Sequence, residues 1–235
     1  MNGQFFKYLA AAIAVSAALT SCKKDNDKVK LLETMTYPDG GYYKFEYDSQ
    51  NRIRKWSQYY ANGNFSESMI TYIGDELTKL TFPPSNYSYE FAKDGNKITV
   101  EEKMKNTDYT RTIYLNSDGL LEKEVNEGEG YYYVTNNLFD NGNLVKWEHI
   151  WIDGDIERKS IREFKYDNNK SPLYHCKTPK WFLNWNFSVL GSLNNVTEEN
   201  ETIITTYEYE FDSDGFPTKR TSNNGFVTEY RYTEL

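Results

Sequence analysis

The sequence predicts an all-β protein, a large antiparallel β-meander of roughly 14–16 strands that forms a strongly curved sheet or a closed, water-soluble barrel. An aromatic-turn-apolar unit recurs along the chain, and runs of alternating aromatic and charged residues flank the turns. Helix-forming stretches are sparse after residue 22, whereas tyrosine, of which the chain has 21, favours half-buried pleated surfaces.

The repeated unit consists of an aromatic residue, a polar turn with Gly or Asn, an apolar residue and, in most units, a nearby Lys or Arg. In one unit, Phe211-Asp212 leads through Asp214-Gly215 to Phe216 and Lys219. Most units are 19 to 27 residues apart, which is one strand out and one strand back. Self-similarity at such a period indicates a repeat architecture. The aromatic residues of the units are Tyr47, Tyr72, Phe91, Tyr114, Phe139, Tyr166 and Phe211.

Glycines that follow Asp or Asn predict where the hairpins turn, because tight hairpin turns need the positive φ that glycine adopts without strain. Between turns, Tyr43, Phe45 and Tyr47 fall on one strand face and Lys44 and Glu46 on the other, which predicts an aromatic inner face and a charged outer face. After Cys22, eight glycines have this context: Gly40, Gly63, Gly95, Gly119, Gly142, Gly154, Gly215 and Gly225.

The N-terminal segment is typical of a secretory signal peptide. Lys7 precedes a largely apolar run from Tyr8 to Leu19, which is too short to cross a bilayer because that takes about 20 residues. The run ends in Leu19-Thr20-Ser21-Cys22, which resembles the lipobox of bacterial lipoproteins. The resemblance implies cleavage before Cys22 and lipidation of its thiol. The alternative is an ordinary secreted protein with a chance cysteine.

The predicted organisation is a lipoprotein signal peptide at 1–21, a lipidated flexible tether at 22–30 and a single repeat-built β domain at 31–235. Lys23 to Lys28 are charged or polar, which is typical of a disordered segment. This stretch resembles the surface-export signals of Bacteroidetes-type lipoproteins, which implies attachment to the outer membrane. Whether the protein faces the periplasm or the cell surface stays open.

The Tyr-Asp-polar-Gly-apolar-Lys units resemble the YD repeats of RHS-type shell proteins. Together with the lipobox, they resemble a family of Bacteroidetes-type outer-membrane lipoproteins of unknown function with a porin-like fold. The resemblance covers most of residues 31–235. It implies a fold and an envelope location, but no activity and no catalytic residues.

A barrel embedded in the membrane is the alternative to a water-soluble one, since both have alternating strands. Membrane strands take about 9–11 residues, and many runs here are nearer about seven. The apolar faces are rich in tyrosine, whose hydroxyls are unfavourable in hydrocarbon unless bonded. The sequence therefore predicts contact with the membrane through the N-terminal lipid only.

Charge and cysteine content exclude several kinds of partner. The net charge of −8 makes nucleic acid an unfavourable partner. After Cys22 the only cysteine is Cys176, so no disulfide framework is expected, and a lone cysteine is more often a small buried apolar residue. The sequence indicates no cofactor.

A Trp-rich insertion at 170–196 interrupts the repeat and carries Trp181 and Trp185. A wide barrel must be filled or wetted, so one hypothesis is that this insertion folds into the barrel as a plug. The alternative is a loop packed over a sheet edge.

Candidate ligand contacts are few. Trp147, His149 and Trp151 share a face if they lie on a strand, and such a stripe could stack on a sugar ring or belong to the sheet core. Trp181 and Trp185 are the other candidates. His175 adjoins Cys176, but neighbours in a loop are not a catalytic dyad.

No metal site is predicted either. Two histidines and one free cysteine cannot make a typical structural zinc site, and Asp153-Gly154-Asp155 lacks the rest of a calcium loop. The sequence therefore predicts no catalytic and no metal-binding residues. The leading hypothesis is a non-catalytic envelope protein that binds or scaffolds a glycan or protein ligand. The alternatives are a structural shell without a small ligand and a carboxylate-dependent glycan hydrolase.

Overall fold

The computed structural model describes residues 29–104, 108–128 and 131–235. The predicted signal peptide, Cys22 and the tether up to residue 28 lie outside the described residues. No helix in the described part of the chain is long and apolar enough to span a membrane. The strands are β1 (Lys30–Thr36), β2 (Tyr42–Tyr47), β3 (Ile53–Tyr59), β4 (Phe65–Ile73), β5 (Glu76–Thr81), β6 (Ser88–Asp94), β7 (Lys97–Lys103), β8 (Asp108–Leu115), β9 (Leu121–Gly128), β10 (Tyr131–Asp140), β11 (Asn143–Asp153), β12 (Ile156–Lys170), β13 (Asn194–Asn200), β14 (Ile204–Phe211), β15 (Pro217–Ser222) and β16 (Val227–Glu234).

These strands form one closed antiparallel barrel. Each strand pairs with the next in the chain, and β1 pairs with β16 to close the ring. The predicted all-β meander is therefore confirmed, and of the two predicted forms, curved sheet and closed barrel, the structure has the closed barrel. β1 begins at Lys30, one residue before the predicted start of the domain.

The predicted hairpin turns are confirmed at the eight glycines after Cys22 that follow Asp or Asn, since each has a positive φ. Gly119, with φ of 74°, donates its backbone N–H to the carbonyl of Asn116 at 3.1 Å and so closes the β8–β9 turn. The sequence signal works here because it is local: glycine adopts this conformation at no steric cost.

Most repeat aromatics coincide with an irregularity in strand pairing. A β-bulge bends its strand and increases the local twist, which helps a sheet to close. At the bulge between Tyr114 and Leu115, Tyr114 is 36% exposed and Leu115 is 4% exposed. The register shifts fall at 46/47, 71/72, 114/115, 138/139, 165/166 and 210/211.

Three of the repeat tyrosines make the same type of hydrogen bond, from the side-chain hydroxyl to a backbone carbonyl. The hydroxyl of Tyr47 donates to the Leu32 carbonyl at 2.8 Å, and the hydroxyl of Tyr72 to the Ile53 carbonyl at 3.0 Å. Tyr166 repeats the contact with Leu144 at 2.6 Å. In each case the acceptor lies on the preceding strand, so the half-buried hydroxyl is satisfied and ties two strands together.

The insertion at 170–196 packs inside one end of the barrel, and we call it the plug. It contains α1 (Lys180–Phe187) and a 3₁₀-helix (Ser188–Gly191). Phe182 and Leu183 are fully buried in the same core as Trp56 and Phe91 of the barrel wall. The backbone N–H of Lys177 also reaches the Asn51 carbonyl in the β2–β3 turn at 2.9 Å. The turns that follow the repeat aromatics lie at this end of the barrel, which we call the plugged end. We call the opposite end the far end.

Lys30 secures the closing strand at the plugged end. Its side chain is 8% exposed, and Nζ lies 2.8 Å from Asp212 Oδ2 and also contacts Asp214 in the β14–β15 turn. We expect Lys30→Ala to lower the free energy of unfolding by about 2 kcal/mol, because charged hydrogen bonds to two carboxylates are lost. Urea denaturation measures this. Lys165→Ala, which removes a 72% exposed lysine from its pair with Glu198, should leave the midpoint unchanged; equal losses in both variants would contradict the assignment.

Candidate functional site

Polar and aromatic side chains line the lumen beside the apolar core that surrounds the plug. Side chains alternate between the two faces of a strand, and these residues occupy the inward positions. Each is paired in register with another inward-facing residue on a neighbouring strand. We call this set the lumen belt. Its members are Glu102, Arg111, Glu124, Tyr133, Thr135, Trp147, His149, Arg162, Glu199 and Tyr207.

Arg111 organises one part of the lumen belt. Its guanidinium contacts the carboxylate of Glu102 and lies 3.5 Å from Glu124 Oε1. The hydroxyl of Tyr87 donates to Glu102 Oε1 at 2.8 Å, and the hydroxyl of Tyr133 donates to Glu124 Oε1 at 3.3 Å. Burial, with the nearby Glu124 charge, raises the pKa of Tyr133 to about 12, so its hydroxyl stays protonated. The charges are thus fixed by their partners within the lumen.

An aromatic wall stands next to this charged group. The rings of Trp147 and His149 are stacked, with centroids 5.4 Å apart and planes 3° apart. The ring of Tyr133 on β10 is tilted relative to the imidazole of His149, and their centroids are 5.2 Å apart. Thr135 Oγ1 lies 3.0 Å from His149 Nδ1 and fixes the imidazole orientation. Flat, partly exposed rings with polar groups at their edges can stack on a ring-shaped ligand.

A cavity of about 250 Å³ opens between this wall and the plug. Trp185 of α1 lies across from the wall, and its Nε1 donates to Glu124 Oε1 at 3.3 Å. Asn137 and Asn184 also line the cavity, and their Oδ1 atoms are buried with no hydrogen-bond partner among the described residues. Buried polar atoms usually have a partner, so these two amides are suited to a ligand hydroxyl.

A second ion-pair group continues the wall beyond Trp147. The Arg162 guanidinium lies 5.1 Å from the Trp147 ring centroid, within cation–π range. It also approaches Glu199 Oε1 at 3.6 Å and Glu201 Oε2 at 3.2 Å. Glu199 in turn accepts a hydrogen bond from the Tyr207 hydroxyl at 3.1 Å. Contacts therefore run without a break from β11 to β14.

The structure places the five predicted ligand contacts in three settings. Trp147, His149 and Trp185 line the same cavity. Trp151 follows on the same inward face of β11, with the exposed Arg158 5.2 Å from its ring. Trp181 is 6% exposed and packs against Phe91 and Phe182 in the core. Four of the five therefore face the lumen of the barrel, three from β11 and Trp185 from the plug. Trp181 does not line this cavity.

The charged members of the lumen belt were missed by sequence reasoning. Arg111 stands two residues before the buried Ile113, and Glu124 two residues before the buried Asn126, so each lies on the same strand face as a buried residue. This alternation could have indicated that both side chains point inward. It was hard to recognise because polar residues occupy both faces of these strands.

The imidazole of His149 should titrate below the usual histidine range. Burial lowers its pKa, and the raising effect of the Glu124 charge is smaller. Since the unfolded chain takes up the proton first, we expect stability to fall as pH drops below about 6.5. An NMR titration should give a midpoint below this value, with His149→Gln assigning the resonance. A midpoint at or above 6.5 would contradict the buried, neutral imidazole.

Within the described ranges, no group of three or more His, Cys, Asp or Glu side chains could hold a metal ion. Cys176 is buried, as the sequence predicted. Burial raises the pKa of its thiol, and hydrogen bonds with Thr178 oppose this. His175 Nδ1 accepts the backbone N–H of Lys30 at 3.0 Å and so takes part in the attachment of β1.

Fold and site together define a closed sixteen-strand barrel with a plugged end and a polar, aromatic lumen. No protein-family model matches the sequence, and no curated protein is detectably similar. Among solved structures, the chain is similar to a porin-like protein from Bacteroides uniformis at 13% identity. The match covers 88% of this chain and 98% of the other, with a TM-score of 0.38. The architecture described above follows from strand pairing alone, and the lipoprotein family stays a prediction.

Proposed function

We propose that this is a non-catalytic, lipid-anchored envelope protein that binds a glycan segment in the lumen of its barrel. The observation that carries the proposal is the cavity between the Trp147–His149 stack and Trp185. Sugar rings present an apolar face that stacks on aromatic rings and a rim of hydroxyls that both donate and accept hydrogen bonds. The cavity supplies both kinds of partner.

The polar rim of the cavity matches hydroxyl chemistry. Asn137 and Asn184 line the cavity, and their Oδ1 atoms, which have no partner among the described residues, can accept hydrogen bonds from ligand hydroxyls. Pockets of this type use few, well-placed polar groups to orient a ligand held by apolar surface. Because Glu102 and Glu124 are both held by Arg111, they support binding and orientation more than proton transfer.

The outer wall supports a barrel in water. Ion pairs link adjacent strands on that face, as in Lys55–Glu67 at 2.6 Å and Lys79–Glu90 at 2.8 Å. Charges on a lipid-facing wall would be unfavourable by about 2–4 kcal/mol each at the bilayer midplane. This supports the proposal that the protein contacts the outer membrane through the lipid at Cys22 only. Detergent phase partition tests this: Cys22→Ala should move the protein from the detergent phase to the aqueous phase, and an unchanged partition would contradict the anchor.

Tryptophan fluorescence tests the binding function directly. We expect at least one member of a panel of neutral and acidic oligosaccharides to change the emission saturably. Trp147→Ala should weaken that binding by about two- to tenfold, because stacking contributes about 0.5–1.5 kcal/mol. Trp181→Phe is the matched control, since Trp181 packs in the core and should leave the affinity unchanged.

The outcome that would overturn the proposal is equally concrete. If no oligosaccharide changes the emission at millimolar concentration while circular dichroism shows the intact β fold, the protein is a structural shell and not a lumen-binding protein. Equal loss of affinity in Trp147→Ala and Trp181→Phe would place the ligand outside the lumen cavity.

A further inference from the structure

A second cavity of about 260 Å³ lies near the far end of the barrel, around Arg220 of β15. It opens between the β1–β2 and β15–β16 hairpins and is lined largely by hydroxyl and amide groups. A volume of this size suits one ring more than an extended ligand, since pockets for larger ligands take about 300–1,000 Å³. The polar side chains lining it beside Arg220 are Tyr37, Thr205, Tyr207, Ser222, Asn224 and Thr228.

Arg220 is held in this cavity by neutral partners. Its guanidinium carbon lies 4.8 Å from the Tyr207 ring centroid, and Nη2 donates to Thr228 Oγ1 at 3.2 Å. Strand register places it opposite Tyr209 on β14 and Thr228 on β16. The guanidinium is therefore fixed in position by a ring beneath it and by hydroxyls at its edge.

The contrast with the other arginines of the lumen is the informative point. Arg111 approaches Glu102 and Glu124, and Arg162 approaches Glu199 and Glu201. Within the residues that the structure describes, no ion pair joins Arg220 to a carboxylate. A half-buried guanidinium has five donors, and charged groups removed from water are normally paired.

We propose that Arg220 binds the carboxylate of an acidic sugar residue, so that the lumen has an acidic-sugar subsite beside the Trp147 cavity. A guanidinium meets a carboxylate through two parallel hydrogen bonds, which gives orientation as well as affinity. The surrounding hydroxyls suit the remaining groups of a sugar ring. This inference rests on the proposed glycan-binding function.

The two subsites are joined along the barrel wall. Tyr207 stacks under Arg220 and donates from its hydroxyl to Glu199. Glu199 pairs with Arg162, which lies over Trp147 at 5.1 Å. A glycan whose neutral ring stacks on Trp147 can therefore place an acidic ring toward Arg220 along one continuous surface.

A matched pair of ligands tests the inference. Calorimetry would compare oligogalacturonate with the neutral galactose oligomer of equal length on the full chain. We expect the wild type to bind the acidic ligand at least tenfold more tightly. Arg220→Gln should abolish this preference and leave the neutral ligand within about twofold. Arg220→Lys should retain part of the preference, because it keeps the charge but loses the two-bond geometry. Arg231→Gln, an exposed arginine of β16, should change neither affinity.

Each contrary result has a distinct meaning. If Arg220→Gln still prefers the acidic ligand, the inference is overturned but the proposed function stands. The same holds if the wild type binds the neutral oligomer but shows no preference for the acidic one. Displacement of oligogalacturonate by inorganic phosphate at equal affinity would also overturn it, because the site would then be a general anion site. Failure of both oligomers to bind would remove the proposed function itself.

Discussion

Phe182→Ala should lower the free energy of unfolding by about 3–5 kcal/mol, the usual range for truncating a fully buried phenylalanine. Phe182 is 0% exposed at the centre of the plug. Its ring centroid lies 6.3 Å from that of Trp56, 6.0 Å from Phe91 and 5.6 Å from Trp181. These partners belong to the barrel wall and to α1, so truncation leaves a cavity that rigid strands and helix cannot both close.

Urea denaturation followed by far-ultraviolet circular dichroism measures this loss. Phe226→Ala is the matched control, because Phe226 is 65% exposed in the β15–β16 hairpin and its loss should change the midpoint little. A loss below about 1 kcal/mol in Phe182→Ala would mean that the plug does not contribute to the core, and the barrel would then be stable without it.

The barrel could be predicted because its signals are local and repeated. A glycine after Asp or Asn predicts a hairpin turn wherever it stands, and Gly40 and Gly225 at opposite ends of the domain both have φ of 85°. Alternation likewise predicts which residues share a face, as in Tyr43 and Phe45, which both belong to the interior cluster. Repetition made these signals strong, since one missed unit would not have changed the architecture.

Closure and the lumen could not be predicted, because both depend on contacts distant in sequence. The pairing of Lys30 with Glu234 and Asp212 joins the two ends of the domain, and nothing near Lys30 in the sequence indicates it. Arg111 reaches Glu124 only through the register of β8 and β9.

Gly191→Ala should lower the free energy of unfolding by about 3 kcal/mol, although it adds a single methyl group. A Cβ at this position would lie 2.7 Å from the Leu183 carbonyl carbon and 2.8 Å from the Asn184 backbone nitrogen. Because these are backbone atoms, no side chain can rotate away. The 3₁₀-helix and α1 must separate instead.

The comparison that isolates this steric effect is Gly74→Ala, where nothing lies within 4 Å but φ is +59°. That variant should lose only about 1 kcal/mol, from backbone strain alone. Separation of the two helices would also displace Asn184 and Ser188, which line the Trp147 cavity. Gly191→Ala should therefore weaken oligosaccharide binding, whereas Gly74→Ala should not. If Gly191→Ala were as stable as the wild type and bound the ligand equally well, close packing of the plug would not be what shapes the cavity.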